Sequence, residues 1–409
     1  MLIMIKTAWR NLWRNKRRTL IMISAITVGL FGVVGFIGLM NAYKENMRDN
    51  AVNTLTGHVK ITALGYHDNP VPTLNFPLPP GAVQAINNAP EVVGAASRVV
   101  GMVMASNSER SDQVTLLGIE PGREAKVSIL PKSIIEGRWL KGGDKRKIVV
   151  GKSLLERFKT KLGRRIVLMA YDAEGELSSQ VFRIVGVFKT PTDAFDKTHI
   201  YVPLEQAQEF FVIPGRVTEL VIMGESAERA QELVAEIKAH WKGDPNLEIK
   251  DWLEMLPMLA QLFKFWDAGL AIFYSIYFIA MAFGIANTFL MVVHERTREF
   301  GVMLALGVSR KMIMIMMIAE SMLLAVFAGA VGAGLGIAMS FYFGKFGLDL
   351  SFAAAGQEYF GASSVMYPYL TAKDVAASLL ATIVTAICVS IYPAWKAGRV
   401  QPVEAIRMQ

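Results

Sequence analysis

Cysteine is almost absent. The one thiol, Cys388, sits inside an apolar run, so neither a disulfide framework nor a thiolate metal site can be built. The five histidines (His58, His67, His199, His240 and His294) form no H-x-x-x-H or H-x-x-E-H pair, which removes the usual zinc spacings. No serine stands in a G-x-S-x-G context. Gly151-Lys152-Ser153 ends like a phosphate-binding loop, but such a loop needs a glycine five residues before Gly151, and position 146 is Arg. No ATP-binding motif, bound cofactor or catalytic group is therefore expected of this sequence. Charge is missing too, over long stretches: Ala268–Val293 carries none in 26 residues, and Met312–Gly344 carries only Glu320.

What is present in quantity is apolar sequence. Hydrophobic residues make up 53% of the 409, with a mean hydropathy of +0.35. About 20 apolar residues at 1.5 Å rise span a bilayer core. Four runs meet that length: Thr19–Asn41, Ala268–Val293, Met312–Gly344 and Val375–Trp395. The first has 23 uncharged residues and no A-x-A-like site after it, so it reads as a span and not as a signal peptide.

The net charge of +8 is a topology signal. Residues 1–18 carry six bases and no acid, and 294–311 and 396–409 are each net +2. The long 44–266 segment holds 28 bases against 27 acids, and 345–374 is net −1. Both termini and the middle connection are expected on the cytoplasmic side, with 44–266 and 345–374 outside. Nucleic-acid binding does not fit this distribution. The expected order is a cytoplasmic amphipathic helix over 1–18, spans over 19–43 (its stalk continuing to about 53), 267–293, 312–344 and 375–395, a cytoplasmic connection over 294–311, and a cytoplasmic tail over 396–409. The first segment interleaves Trp9 and Trp13 with Lys6, Arg10 and Arg14, which suits either a leaflet-surface helix or a plain positive anchor.

Segment 44–266 has α+β composition. Strands are expected at Val59–Ala63, Val99–Ala105, Val114–Leu117, Lys147–Val150, Ile166–Tyr171, Val181–Phe188 and Leu220–Ile222. Helices are expected at Gly151–Leu162, Leu204–Phe211 and Ala227–Trp241. The expected division is an α/β part (roughly 50–110 with 216–250) and a strand-rich insertion (roughly 111–215).

Within the spans, Gly29 and Gly32 in the first and Gly329, Gly332 and Gly336 in the third are expected at close helix contacts. Gly332-Ala-Gly334-Leu-Gly336 lacks the G-x-G-x-x-G spacing of a dinucleotide loop. Glu320, eight residues into its run, is expected to be an intramembrane polar residue satisfied by a helix–helix hydrogen bond, with a proton or substrate site as the alternative.

The segment between spans two and three reads His294-Glu-Arg-Thr-Arg-Glu-Phe-Gly-Val-Met-Leu-Ala-Leu-Gly-Val-Ser-Arg310. Glu295, Arg296, Glu299, Phe300, Gly301, Ala305, Leu306 and Gly307 match the E-R-x-x-E-[IF]-G-x-x-x-A-L-G signature of the FtsX-like permease family of ABC transporters, the group of MacB, LolC and LolE. Ala8-Trp-Arg-Asn-Leu12 with Arg18-Thr-Leu20 resembles that family's start. Tyr392-Pro-Ala-Trp-Lys-Ala397 with Pro402-Val-Glu-Ala-Ile-Arg407 resembles its ending.

The resemblance implies a membrane protein with four transmembrane α-helices plus one large α+β extracytoplasmic domain, a MacB-like periplasmic domain with two subdomains, in a bacterial inner membrane. It implies a dimer with a second permease copy or paralogue, and two copies of a separate ATPase carrying ATP and Mg²⁺. The 294–311 segment would be the coupling helix, with Glu295, Arg296, Arg298, Glu299, Phe300, Gly301, Leu304 and Leu306 meeting that ATPase. Stalks at Ala42–Asn53 and Trp252–Trp266 would carry its motion outward, the family's mechanotransmission. The substrate class implied is a lipoprotein or other amphiphile, passed to a carrier or adaptor outside. LolC-type subunits carry a Pro-rich hook between two strands, whereas Asp172–Gln180 has no proline, which leaves a LolE-like role or another lipoprotein-handling dimer. The alternatives are an exporter of peptides or antibiotics, or a signalling permease that activates a cell-wall hydrolase.

Overall fold

The computed structural model describes residues 10, 15–89, 91–240, 246–350 and 365–401. The amphipathic segment expected over 1–18 lies largely outside them, as do the end of the tail and residues 351–364 of the 345–374 loop. The chain forms two compact units, one from Met1–Lys44, Phe263–Asp349 and Val365–Gln409, the other chiefly from Glu45–Leu262.

Long uncharged runs leave backbone groups no partner but their own helix, and four helices result: Lys16–Ala51, Pro257–Glu295, Arg310–Phe346 and Ala372–Gly398. Each is long and apolar enough to cross a membrane. The fourth begins at a capping box in which Thr371 and Asp374 satisfy each other's backbone N–H. Asn41 of the first helix donates to the same Asp374 at 3.0 Å.

The first and third helices touch where side chains are smallest. A Cβ on Gly332 would lie 2.7 Å from the Thr27 carbonyl, and one on Gly336 would lie 2.7 Å from Val34 Cγ1. Thr27 Oγ1 donates to the Ala328 carbonyl at 3.1 Å across that contact. Gly329 faces Leu379 and Leu30, and Gly29 lies under the Tyr277 ring. Gly32 departs from expectation: no atom lies within 4 Å of its Cβ position, because it is on the side of the first helix that the chain leaves open.

In the second unit, β1 (Val59–Ala63), β2 (Phe76–Pro77), β3 (Val92–Ser106), β4 (Ser111–Ile119), β5 (Ile134–Gly137), β6 (Lys147–Gly151), β7 (Arg165–Tyr171), β8 (Leu177–Phe188), β9 (His199–Pro203), β10 (Arg216–Val217), β11 (Glu219–Gly224) and β12 (Leu247–Asp251) build two subdomains. In the first, β1, β3, β11 and β12 alternate with helices Ala82–Asn87 and Ala230–His240 as β-α-β-β-α-β, in spatial order β12-β1-β11-β3, all neighbours antiparallel. Val59, Ile61, Leu220 and Ile222 meet Val83, Ile86, Leu233 and Ile237 in its core.

The second is inserted between β3 and β11. Its strands pair β3-β4-β9-β6-β8-β7 and return to β3 through Met104–Ser106 against Val167–Met169, closing a small barrel. Inward side chains such as Val103, Leu116, Ile148, Leu168, Phe182 and Ile200 fill it. The two subdomains thus share β3, a 15-residue strand that passes from one to the other. The β7–β8 hairpin turns over Asp172–Glu176, five residues and not nine, because Asp172 Oδ1 accepts from the amides of Glu174 and Glu176 and Gly175 takes φ +85°.

Of the two stalk segments, Ala42–Asn53 is helical to Ala51 and then widens into a π-turn, Val52–Thr56. Trp252–Trp266 is not continuous. Asp251 caps a short helix, Trp252–Met255, and Leu256 is turned to φ −121°, ψ 61° ahead of Pro257, where the second long helix starts.

Candidate coupling site

The second long helix stops because Arg296 leaves the helical region at φ −102°, ψ 11°, and a nine-residue helix, Thr297–Ala305, follows. It ends at Leu306 in a Schellman motif: Val308 N–H bonds the Met303 carbonyl at 3.0 Å and Gly307 N–H the Leu304 carbonyl at 3.1 Å. Gly307 takes φ +91°, which a side chain would resist. Ser309 then caps the third helix by accepting from Met312 N–H at 3.3 Å. Two helix ends and a turn thus fit into five residues.

Arg296 is the pivot. Only 6% exposed, it donates Nε to Glu299 at 2.9 Å and Nη1 to Glu320 of the third helix at 3.2 Å. Its guanidinium lies over the Phe300 ring, 5.1 Å from the centroid. Glu320 is 2% exposed, so its carboxylate is held by a charge partner and not by water. It ties the third helix to the start of the Thr297–Ala305 helix. Glu295 lies outside this pair and accepts from Arg18 of the first helix at 2.7 Å.

These contacts divide the eight expected site residues. Arg296, Phe300 and Gly301 are buried, and Leu304 and Glu299 half-buried, whereas Glu295, Arg298 and Leu306 are exposed. Phe300, expected to be an anchor for a partner, is fully buried in the core cluster that includes Val293, Ile313, Ala394 and Ala397, which leaves no ring surface to offer. The surface left free is a stripe at helical spacing, Arg298, Val302, Ala305 and Leu306, with Leu306 81% exposed. Arg310 and Lys311 are exposed after the turn. The four-residue step from Arg298 to Val302 to Leu306 was a legible signal that these three share a face. A pinned helix of this kind can pass a push on its outer face to the second and third helices through Arg296 and Phe300.

A family model described as MacB-like periplasmic core domain matches residues 19–240, and one described as FtsX-like permease C-terminal matches 271–402. This chain belongs to the FtsX-like, MacB/LolC-type family of ABC transporter permeases. The relatives of this permease include an uncharacterized ABC transporter permease of Methanocaldococcus jannaschii, 24% identical over 82% of this chain and 83% of that protein. The lipoprotein-releasing system transmembrane protein LolC of Xylella fastidiosa is 21% identical over 95% of this permease and 93% of LolC. The macrolide export ATP-binding/permease protein MacB of Chlorobium luteolum is 24% identical over 99% of this permease but only 60% of MacB. The permease is a multi-pass membrane protein with four apolar helices and a large α/β domain of the MacB periplasmic type.

Proposed function

We propose that this permease is driven by a separate ATPase seated on the Arg298–Leu306 stripe, and that it works by mechanotransmission. The observation that carries the reading is an exposed amphipathic stripe on a helix locked to the bundle by a buried ion pair. A partner's force on that stripe has a stiff path into the membrane helices. ATP and Mg²⁺ belong to the partner, because the 151–153 motif lacks the glycine its loop requires. The termini and the 294–311 connection face the cytoplasm of a bacterial inner membrane, and the 45–262 unit faces outward, as the basic residues direct. Two permeases, identical or paralogous, pair with two ATPases.

The substrate class is a lipoprotein released from the membrane. Support comes from the likeness to LolC along nearly the full length of both chains. Purifying the full chain from its native membrane with whatever binds it, followed by mass spectrometry, tests both parts. A co-purifying ATPase and a trapped acylated protein support the reading. A hydrolase bound to the outer unit with no acylated protein overturns the substrate assignment, and absence of any ATPase overturns the coupling assignment.

A further inference from the structure

The first long helix ends in a distinctive way. After Ala51 the backbone widens into the π-turn Val52–Thr56, closed by Gly57 N–H on the Val52 carbonyl at 2.9 Å. Gly57 takes φ +64°, and a Cβ there would lie 2.9 Å from the Ile222 carbonyl. Single π-turns concentrate at functional sites. This one is grasped from both sides: Ile129 N–H donates to the Asn53 carbonyl at 3.1 Å, and Arg98 Nη1 donates to the Leu55 carbonyl at 2.9 Å.

Arg98 is the unusual partner. It is 1% exposed, and its fork is gripped by Glu124, itself 0% exposed, through Nε–Oε2 at 3.1 Å and Nη2–Oε1 at 2.6 Å. Glu124 belongs to helix Pro121–Val127, which directly follows β4. Arg98 also stands on β3 where the two subdomains divide: it pairs with Glu219 of β11 on one side and with Ile119 of β4 on the other. Thr218 closes the same point, its N–H on the Arg98 carbonyl at 3.0 Å and its hydroxyl accepting from Val100 N–H at 2.8 Å. The end of the helix, the α/β subdomain and the barrel therefore meet at one residue, its side chain on the helix end and its backbone between the two sheets.

We propose that Arg98 and Glu124 are positioning residues that pass displacement of the first helix to both subdomains. The proposal rests on the mechanotransmission reading. A guanidinium is needed because it donates in three directions at once, to two carboxylate oxygens and a carbonyl. A lysine keeps the charge and drops part of the fork. Replacing only one partner strands a buried charge, but replacing both with apolar residues of similar volume is often neutral for folding. The pair Arg98→Met with Glu124→Leu thus removes the link to Leu55 and spares the fold.

The test uses the full chain with its co-purifying ATPase in nanodiscs. Spin labels replace exposed Leu64, in the α/β subdomain, and exposed Tyr171, at the barrel hairpin, with Cys388→Ala to remove the native thiol. The label-to-label distance is read with and without ATP plus vanadate. The parent is expected to shift. Arg98→Met/Glu124→Leu is expected to lose the shift while ATP turnover stays within about twofold, and Arg98→Lys to keep a reduced shift. If the double variant does not fold, the test is read on Arg98→Lys alone, as a shift smaller than the parent's. A full shift in the folded variants overturns the role of this pair and leaves mechanotransmission standing. No shift in the parent overturns mechanotransmission, and this proposal with it.

Discussion

Two buried arginines hold this permease together, and they do so differently. Arg98 directs Nε, Nη1 and Nη2 to Glu124 and a backbone carbonyl, is 1% exposed and meets a carboxylate that is 0% exposed. Arg296 divides its fork between Glu299 on its own short helix and Glu320 on another, with a phenylalanine ring beneath it and solvent one residue away. The first arrangement is a lock between three pieces of one domain. The second is a pivot that fixes the inner face of a helix while leaving the outer face free. A fully enclosed pair makes the pieces it joins move as one, whereas a pair at the edge of a bundle leaves one face of its helix free to take a partner.

The contrast breaks most sharply on removing one carboxylate. Glu124→Ala should cost about 3–5 kcal/mol, since it strands Arg98 in a dry site, and Glu320→Ala less, since Arg296 keeps its bond to Glu299. Thermal unfolding of the purified chain reads the loss. Only Glu320→Ala should also raise hydrogen exchange in Thr297–Ala305, because only there does the pair join separate helices.

A smaller effect is expected where helices touch. Gly332→Val would drive methyl groups into the Thr27 backbone and should cost about 1–3 kcal/mol. Gly32→Val, with open space around it, should stay within about 0.5 kcal/mol. Equal effects at both positions would refute the assignment of the first–third helix contact.

A further effect lies in the Glu45–Leu262 unit and depends on pH. Burial holds His199, stacked on Phe195, down at about 4, so on acidification from 6.5 to 4 the unfolded chain gains a proton the folded one refuses, and stability falls. Burial pushes Asp196 up to about 6, so below 6 the folded chain binds its proton more tightly than the unfolded one, and stability rises on acidification toward 4. The two oppose each other in the shared window. With His199→Gln the protein should gain stability from pH 6 to 4, and with Asp196→Asn it should lose stability; thermal midpoints across that range decide.

Much of this could be read from the residues. Uncharged runs declare membrane helices, and every expected strand falls within an observed one, because β-branched runs bounded by turn residues have few other choices. Gly307 follows from the geometry of a helix end. The direction in which Phe300 points was not legible, since an aromatic beside charges suits a docking surface or a core equally. The core cluster that encloses it includes Ala394 and Ala397, almost a hundred residues on, and the Arg296 above its ring is held by Glu320 of another helix. Closure of the barrel likewise depends on a three-residue pairing of β3 with β7, which is too short to leave a sequence pattern.

Reversing Glu295 and Glu299 is not a clean probe of the docking face, because it also breaks the Arg18 and Arg296 pairs. Arg298→Glu combined with Leu306→Asp changes only exposed side chains. The decisive measurement is ATP turnover by the co-purifying ATPase with this variant in nanodiscs. Permease-stimulated turnover should fall to the level of the ATPase alone while the chain still inserts and keeps its thermal midpoint. Turnover equal to the parent's would contradict the claim that this stripe receives the ATPase.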